Sequence, residues 1–227
     1  FRRVLFRSQT MKSSELLIFD LDGTLIDSKT DLANSVNATR AWRGLPPLPL
    51  EQVSSYVGNG APMLVKRALP DASQPELDEA LKFFLEHYRE HMLDATTLYP
   101  GVREALDQLH DAGKALAILT NKPVRFSVTL LEGLGLDLHF FRIYGGNSFV
   151  EKKPHPVGLN ALVEERGVDP RKTIMVGDSS VDILTARNAG TWSCGVSWGF
   201  QPYTLKEVPP DLLIDDMRQL SALVCER

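Results

Sequence analysis

Paired aspartates follow two separate apolar segments of this sequence. Asp20 and Asp22 come directly after the run from Leu16 to Phe19, and Gly23 follows them. Carboxylates two positions apart on an extended chain point to the same side, where their like charges repel. A divalent cation, which prefers oxygen ligands, would offset that repulsion, and the glycine permits a sharp turn beside it. The structural alternative is an Asx-type turn at the end of a strand.

The second pair is Asp178 and Asp182, which follows the run from Thr173 to Val176. Carboxylates four residues apart at the start of a helix can share one face. Alternatively, Asp182 or Ser179 could simply cap that helix. Two strands that both end in paired aspartates favour a shared function, because such ends can be neighbours in a doubly wound sheet. We therefore expect these carboxylates to gather around one ion.

Two further polar segments could bind an anion. Thr120 and Asn121 end the apolar run 115–119 and offer a hydroxyl and backbone N–H groups near a predicted helix start. An ordinary helix cap is the alternative. Lys153, within the segment 152–156, could neutralise carboxylate and phosphate charge if it lay beside the acidic cluster. The alternative there is a solvated basic loop.

The elements that must position these residues alternate between strands and helices. Apolar runs predict strands at 16–19, 115–119, 173–176, 192–196 and 212–214, with a weaker one at 143–144. Helical patterns cover 102–112, 124–131, 157–166 and 183–188. This alternation predicts an α/β fold, a doubly wound parallel sheet with helices on both faces.

One connection is far longer than a crossover needs, since it runs from Asp22 to the strand at 115. Helical periodicity there covers 31–43, 53–69 and 76–93, with prolines at 46, 47 and 49 after the first helix. We predict that residues 28–97 form a helical cap domain and that 11–27 and 98–227 form the catalytic core. Ligands in open α/β sheets bind where polar strand ends lie, and the insertion begins there. The alternative is extra helices packed on the core.

Composition excludes several classes of protein. The chain has 227 residues, 43% hydrophobic and 24% charged, which excludes disordered and fibrous proteins. With 25 Lys+Arg against 29 Asp+Glu, it lacks the basic excess of a nucleic-acid binder. No stretch approaches the ~20 apolar residues of a membrane span. We therefore expect neither a nucleic acid nor a membrane as a partner.

The cysteines and the first residues predict the compartment and the start of the fold. Cys194 and Cys225 lie far apart and in no motif, as is typical of thiols in a reducing compartment. No secretory signal is evident, so we predict a cytoplasmic protein. Residues 1–10 are predicted to be a non-native or disordered tail, because Met11 resembles a natural start.

In their order along the chain, these segments resemble the haloacid dehalogenase superfamily. The matching residues are Asp20-Leu21-Asp22-Gly23-Thr24, Thr120, Lys153 and Gly177-Asp178 with Asp182. Within it, three strings are similar to those of bacterial phosphoglycolate phosphatases: Tyr56-Val57-Gly58-Asn59-Gly60-Ala61, Leu119-Thr120-Asn121-Lys122-Pro123 and Lys152-Lys153-Pro154-His155-Pro156. The resemblance implies a Rossmann-like core with an inserted cap. It also implies Mg²⁺-dependent hydrolysis of a phosphomonoester, with 2-phosphoglycolate as the expected substrate and glycolate and phosphate as products.

The resemblance also implies a role for each residue. Asp20 would attack phosphorus and form an aspartyl-phosphate, while Asp22 would protonate the leaving alkoxide and then activate water. Mg²⁺ would be held by the Asp20 side chain, the Asp22 backbone carbonyl and Asp178, with Asp182 supporting it through its waters. The phosphoryl oxygens would be held by Thr120, the Asn121 backbone and Lys153.

Substrate selection should come from the cap, because the core motifs bind only the phosphoryl group. Gly58-Asn59-Gly60 is predicted to form a flexible turn at the start of a cap helix. Lys66 and Arg67 follow on that helix, and either could reach an anionic group of the substrate. We expect a small phosphorylated metabolite as the substrate and a monomer or small homo-oligomer as the working form.

Other activities of the superfamily fit the residues less well. Dehalogenases and phosphonate hydrolases resemble this pattern but lack the second aspartate, which is Asp22 here. Sugar phosphomutases keep it but carry a cap histidine soon after the first motif, and the segment 28–43 has none. His87 and His91 are predicted to lie on the solvated face of a later helix. The alternatives are a phosphatase for another metabolite, a mutase and, least favoured, a non-catalytic binding protein.

Overall fold

The computed structural model describes residues 11–225, so the predicted tail at 1–10 lies outside the described residues. The strands are β1 (Leu16–Phe19), β2 (Ile26–Asp27), β3 (Thr97–Leu98), β4 (Ala115–Leu119), β5 (Arg142–Tyr144), β6 (Thr173–Gly177), β7 (Trp192–Val196) and β8 (Leu212–Ile214). Six of them form one parallel sheet in the order β5-β4-β1-β6-β7-β8. The predicted α/β fold with a doubly wound parallel sheet is therefore confirmed.

Helices cover both faces of this sheet. They are α1 (Lys29–Trp42), α2 (Leu50–Tyr56), α3 (Ala61–Ala68), α4 (Gln74–His91), α5 (Val102–Asp111), α6 (Val124–Gly133), α7 (Val157–Arg166), α8 (Ser180–Ala189) and α9 (Met217–Cys225). In β1, Leu16 and Ile18 pack in one apolar cluster with residues of α7 and α8. Leu17 and Phe19 pack in the other cluster with residues of α5, α6 and α9. This alternation is what a strand buried on both faces produces.

Helices α1 to α4, called the inserted helices below, lie between β2 and β3. These two short strands pair antiparallel, so the chain enters and leaves the inserted helices side by side. The buried carboxylate of Asp31, in the first turn of α1, accepts hydrogen bonds from the backbone N–H groups of Ala95 (3.0 Å) and Thr96 (2.8 Å). The junction with the sheet is therefore held by a strand pair and a buried carboxylate. In the described range 11–225, no helix is both long enough and apolar enough to cross a membrane.

The helical segment predicted over 53–69 is divided in two at the turn that the sequence predicted for Gly58-Asn59-Gly60. Val57 to Gly60 separate α2 from α3. Gly58 and Gly60 have φ angles of 110° and 86°, which a right-handed helix cannot contain. This segment, 57–60, is called the α2–α3 loop below, and its glycines end one helix and start the next.

The predicted position of His87 is wrong. It is half-buried, and its Nδ1 lies 3.0 Å from the Ser35 hydroxyl of α1, so it belongs to the contact between α1 and α4. His91 lies nearer the surface, where its Nδ1 is 2.7 Å from an Asp94 carboxylate oxygen.

Candidate active site

The carboxyl ends of the three central strands bring the predicted residues together. Phe19 of β1 lies opposite Ile118 of β4 and Val176 of β6, so Asp20, Thr120 and Asp178 follow at one edge of the sheet. One carboxylate oxygen from each of Asp20, Asp178 and Asp182 lies within 4.8 Å of the others. Three of the four carboxylates that were expected to gather thus lie together, while the Asp22 side chain does not join them, and such a cluster of oxygen atoms could hold a metal ion.

Asp182 is placed by the first turn of α8. Its carboxylate accepts hydrogen bonds from the Ser179 hydroxyl (2.8 Å) and the Ser179 N–H (3.2 Å). The second of these bonds belongs to a capping box, in which the Ser179 hydroxyl oxygen accepts from the Asp182 N–H in return. Asp182 therefore caps helix α8, as the alternative interpretation held, and also belongs to the carboxylate cluster. A Cβ atom on Gly177 would fall 2.1 Å from the Asp182 Cγ, so only glycine lets the carboxylate approach the end of β6.

Asp178 is held by a loop that follows β7. One of its oxygens accepts hydrogen bonds from the N–H groups of Phe200 (2.6 Å) and Gln201 (3.1 Å). Close packing enforces this contact, because a Cβ on Gly199 would lie 2.1 Å from the Asp178 Cβ. Burial, and then the nearby charges of Asp182 and Asp20, raise the pKa of Asp178. The cluster thus has too much negative charge for its buried position.

Lys153 supplies part of the missing positive charge. Its ammonium lies 2.6 Å from an Asp182 oxygen and 3.0 Å from an Asp20 oxygen, with only 2% of the side chain exposed. Burial alone would lower the pKa of this lysine, but the two carboxylates outweigh burial and raise it. Burial likewise raises the pKa of Asp20, although Lys153 opposes that rise. The solvated-loop alternative for Lys153 is thus wrong.

Thr120 and Asn121 line the same cavity as the carboxylates. The Asn121 side-chain oxygen accepts a hydrogen bond from the Lys153 N–H (3.0 Å), and its amide donates to the Lys153 carbonyl (3.1 Å). The same amide also donates to the Gly58 carbonyl in the α2–α3 loop (2.9 Å). Asn121 therefore connects the lysine loop to the inserted helices, a contact that the sequence did not predict.

The Asp22 side chain lies outside the cluster of three and faces the inserted helices. It accepts a hydrogen bond from the Ser28 hydroxyl (2.5 Å), and the Lys122 ammonium donates to both of its oxygens (2.9 and 3.0 Å). Lys122 also donates to the Tyr88 hydroxyl on α4 (2.7 Å). Sequence reasoning gave no role to Ser28, Lys122 or Tyr88. The position of Lys122 two residues after Thr120 was the available signal.

Lys122 keeps its charge in this buried position. Burial tends to lower its pKa, but Asp22 and Tyr88 outweigh burial, and the pKa is raised. Burial raises the pKa of Tyr88 to about 12, although Lys122 opposes that rise. The arrangement is therefore an ammonium between a carboxylate and a neutral phenol.

These residues border one cavity between the sheet and the inserted helices. Its polar wall consists of Asp20, Asp22, Thr120, Asn121, Lys122, Asp178, Ser179 and Gln201. The remaining wall comes from Leu32, Val57, Gly58, Gly60, Ala61, Leu64, Phe84, Tyr88, Pro123, Phe126 and Phe200. The cavity is thus charged at the strand ends and mainly apolar opposite them, which suits a small ligand with a charged group at one end.

The structure corrects the role predicted for Lys66 and Arg67. Neither residue borders the cavity, and Lys66 is exposed to solvent. The Arg67 guanidinium instead donates to the Tyr56 carbonyl (2.7 Å) and the Asn59 side-chain oxygen (2.8 Å). Arg67 therefore holds the α2–α3 loop in shape. Of the predicted loop residues, the two glycines border the cavity and Asn59 does not.

Comparison with known proteins agrees with this geometry. Residues 17–196 match the sequence profile of the family described as haloacid dehalogenase-like hydrolase. The phosphoglycolate phosphatase of Chromobacterium violaceum is 41% identical over 219 residues, covering 94% of this chain and 98% of that protein. That of Agrobacterium fabrum is 42% identical over 218 residues, covering 94% of each.

A crystal structure from Haemophilus somnus, described as a predicted phosphoglycolate phosphatase, superimposes with a TM-score of 0.88 at 33% identity. The superposition covers 92% of this chain and 96% of the Haemophilus somnus chain. The matched range 17–196 includes the inserted helices and the residues Asp20, Asp22, Asp178 and Asp182. The chain belongs to the haloacid dehalogenase-like hydrolase family.

Proposed function

We propose that this chain hydrolyses 2-phosphoglycolate to glycolate and phosphate through an aspartyl-phosphate on Asp20. One observation carries the proposal. The buried carboxylates of Asp20, Asp178 and Asp182 meet Lys153 at the strand ends, and Asp22 faces the same cavity. The names of the relatives at 41% and 42% identity support the choice of substrate.

The residues present fit a Mg²⁺ ion. The cluster offers only oxygen donors, and its buried carboxylates carry more negative charge than Lys153 balances. The ion would be held by the side chains of Asp20 and Asp178 and by the Asp22 carbonyl, with Asp182 acting through water. When bound, it would neutralise charge on the phosphoryl group in the transition state.

The side chains would divide the chemistry between them. An Asp20 oxygen forms a bond to phosphorus while the bond to the alkoxide breaks, and Asp22 gives its proton to that alkoxide. Asp22 then takes a proton from water, whose oxygen attacks phosphorus and releases phosphate from Asp20. Lys153, Thr120 and the Asn121 backbone would hold the phosphoryl oxygens.

The inserted helices would act as a cap that completes the site. In this proposal residues 28–97 are the cap domain, and 11–27 with 98–227 are the catalytic core. Support comes from the α2–α3 loop, which borders the cavity and contacts Asn121 in the loop after β4. Closure of such a lid excludes water and positions the substrate.

The cytoplasm is the location we propose, and fractionation of cells that produce the protein would test it.

Phosphate release by the purified protein tests the function. With Mg²⁺ present, kcat/KM for 2-phosphoglycolate should be well above the values for hexose phosphates and nucleotides, and excess chelator should stop turnover. A higher kcat/KM for a hexose phosphate or a nucleotide would show that 2-phosphoglycolate is not the preferred substrate, but the protein would still be a phosphatase. If the protein releases phosphate neither from these esters nor from an aryl phosphate, the proposed hydrolase function is wrong.

A further inference from the structure

Within residues 11–225, Lys122 is the only lysine or arginine that borders the cavity. Only 5% of its side chain is exposed. The wall beyond it is apolar, with Leu64 and Phe84 from the inserted helices and Phe126 from α6. An anionic group of a ligand placed against that wall without a partner would lose its hydration at high cost. Among the described residues that border the cavity, Lys122 is therefore the cation that can pair with a second negative charge of a ligand.

The distance between Lys122 and Asp22 limits where that second charge can lie. In the proposed reaction the Asp22 carboxyl group contacts the ester oxygen of the substrate. The Lys122 ammonium lies 2.9 and 3.0 Å from the two Asp22 oxygens. A carboxylate separated from the ester oxygen by a single carbon atom is thus within reach of the ammonium. In a hexose phosphate, neutral carbon and hydroxyl groups would occupy the same space.

Tyr88 and Asp22 fix the ammonium at this point. The lysine donates to the Tyr88 hydroxyl at 2.7 Å, and its ammonium lies 4.5 Å from the centre of the Tyr88 ring. These contacts come from a helix of the insertion on one side and a strand end on the other. The charge is therefore held in place before the substrate arrives, which lowers the entropy cost of binding.

We propose that Lys122 determines substrate specificity by transferring one of its two Asp22 hydrogen bonds to the carboxylate of the substrate, so that the enzyme selects phosphate esters of short 2-hydroxy acids. This inference rests on the proposed function, since it places the ester oxygen beside Asp22. It assigns to a residue in the loop after β4 the role that the sequence suggested for Lys66 or Arg67. Lys122 has a second role in orienting Asp22, and the test must separate the two.

Two substrates separate them. 2-Phosphoglycolate and 2-hydroxyethyl phosphate have similar alkoxide leaving groups, but only the first has a carboxylate. Lys122→Met should reduce kcat/KM for 2-phosphoglycolate about 30-fold more than for 2-hydroxyethyl phosphate, as expected for a lost charge-assisted hydrogen bond. Lys122→Arg should recover part of this difference. The control is Lys66→Met, which removes an exposed cation outside the cavity and should leave the ratio unchanged.

A binding measurement makes the result independent of turnover. 3-Phosphonopropionate has a methylene group in place of the ester oxygen, and propylphosphonate lacks its carboxylate. Calorimetry should show that Lys122→Met weakens binding of the first far more than of the second. If Lys122→Met does not fold, Lys122→Gln, which keeps a donor for Asp22, takes its place in both measurements.

The outcomes are distinct. Equal losses for both substrates and both phosphonates would overturn the inference and leave Lys122 as a positioning residue for Asp22. If the wild-type protein hydrolyses neither ester, the proposed function fails. The binding comparison alone then decides whether Lys122 recognises a carboxylate.

Discussion

The two walls of the cavity are built from different kinds of contact. On the sheet side, Asp20 is held by an ion pair with Lys153 and Asp178 by backbone N–H groups, and all three residues are buried. On the side of the inserted helices, the wall consists mainly of apolar side chains such as Leu64 and Phe84. In the proposed reaction the sheet wall supplies the phosphoryl chemistry and, through Lys122, the charge that selects a carboxylate, whereas the helical wall limits the size and polarity of the ligand. Substitutions in the two walls should therefore change kcat and KM in different ways.

The largest effect should follow removal of the nucleophile on the sheet side. Asp20→Asn should lower kcat roughly 10⁴-fold or more for every substrate, because an amide cannot attack phosphorus. Phosphate release from 2-phosphoglycolate and from an aryl phosphate measures it. Asp78→Asn, an exposed aspartate on α4, is the matched control and should leave kcat unchanged. A folded Asp20→Asn protein with substantial activity would contradict the assignment.

A somewhat smaller effect should follow loss of the proton donor. Asp22→Asn should reduce kcat for alkyl phosphates about 10²- to 10⁴-fold, since an alkoxide is a poor leaving group without an acid. Aryl phosphates should lose much less, because a phenolate leaves without a proton. Comparing the two classes on one variant measures the difference. Equal losses would exclude the acid role of Asp22.

The charge imbalance of the sheet wall predicts how stability depends on pH without metal. The pKa of Asp20 is raised from 3.8 to about 6, and that of Asp178 from 3.8 to about 8. Between pH 3.8 and about 8, the folded chain therefore binds more protons at these two carboxyl groups than the unfolded chain does. The free energy of unfolding in chelator should therefore fall as pH rises from about 4 to about 8.

Urea denaturation at several pH values measures this fall. Millimolar Mg²⁺ should reduce it, because the cation binds only the folded, ionised cluster. Asp178→Asn should remove much of the pH dependence without metal. A metal-free protein that becomes more stable across this range would show that the cluster is not strained by its charge.

The smallest effect should come from the contacts that join the two walls. The Gln201 side-chain amide donates to the carbonyls of Ser55 (2.9 Å) and Val57 (2.7 Å). Gln201→Leu removes both bonds and should raise KM about 5-fold, with kcat changed less. Steady-state kinetics with 2-phosphoglycolate measures this split. Gln219→Leu, outside the cavity, is the control, and a loss confined to kcat would mean that these bonds do not serve closure.

The sheet wall could be predicted from sequence because its signals are local. A buried parallel strand is a continuous apolar run, and each polar residue that follows it lies at the same edge. The convergence of Asp20 and Asp178 thus needed only the neighbouring positions of β1 and β6. Lys153 is in a loop, and its position beside the carboxylates followed from the family resemblance rather than from any periodicity.

The helical wall could not be predicted in the same way, because its contacts depend on how the chain turns back. The break at Gly58 and Gly60 was predicted from the sequence, but the direction of the helix that follows it was not. That break turns Arg67 toward the Tyr56 carbonyl and away from the cavity. Lys122 meets Asp22 across 100 residues of sequence, and no local pattern reports such a pair.

The bonds from Asn121 and Gln201 to the inserted helices have a consequence for how such enzymes diversify. Both amides bind main-chain carbonyls, those of Ser55, Val57 and Gly58. Every amino acid carries such a carbonyl, so side chains around this loop can be exchanged without loss of the docking contacts. A homologous insertion with a different apolar lining could be grafted onto this sheet if it kept the backbone path of the loop. Selection can thus alter the choice of substrate while the catalytic machinery stays intact.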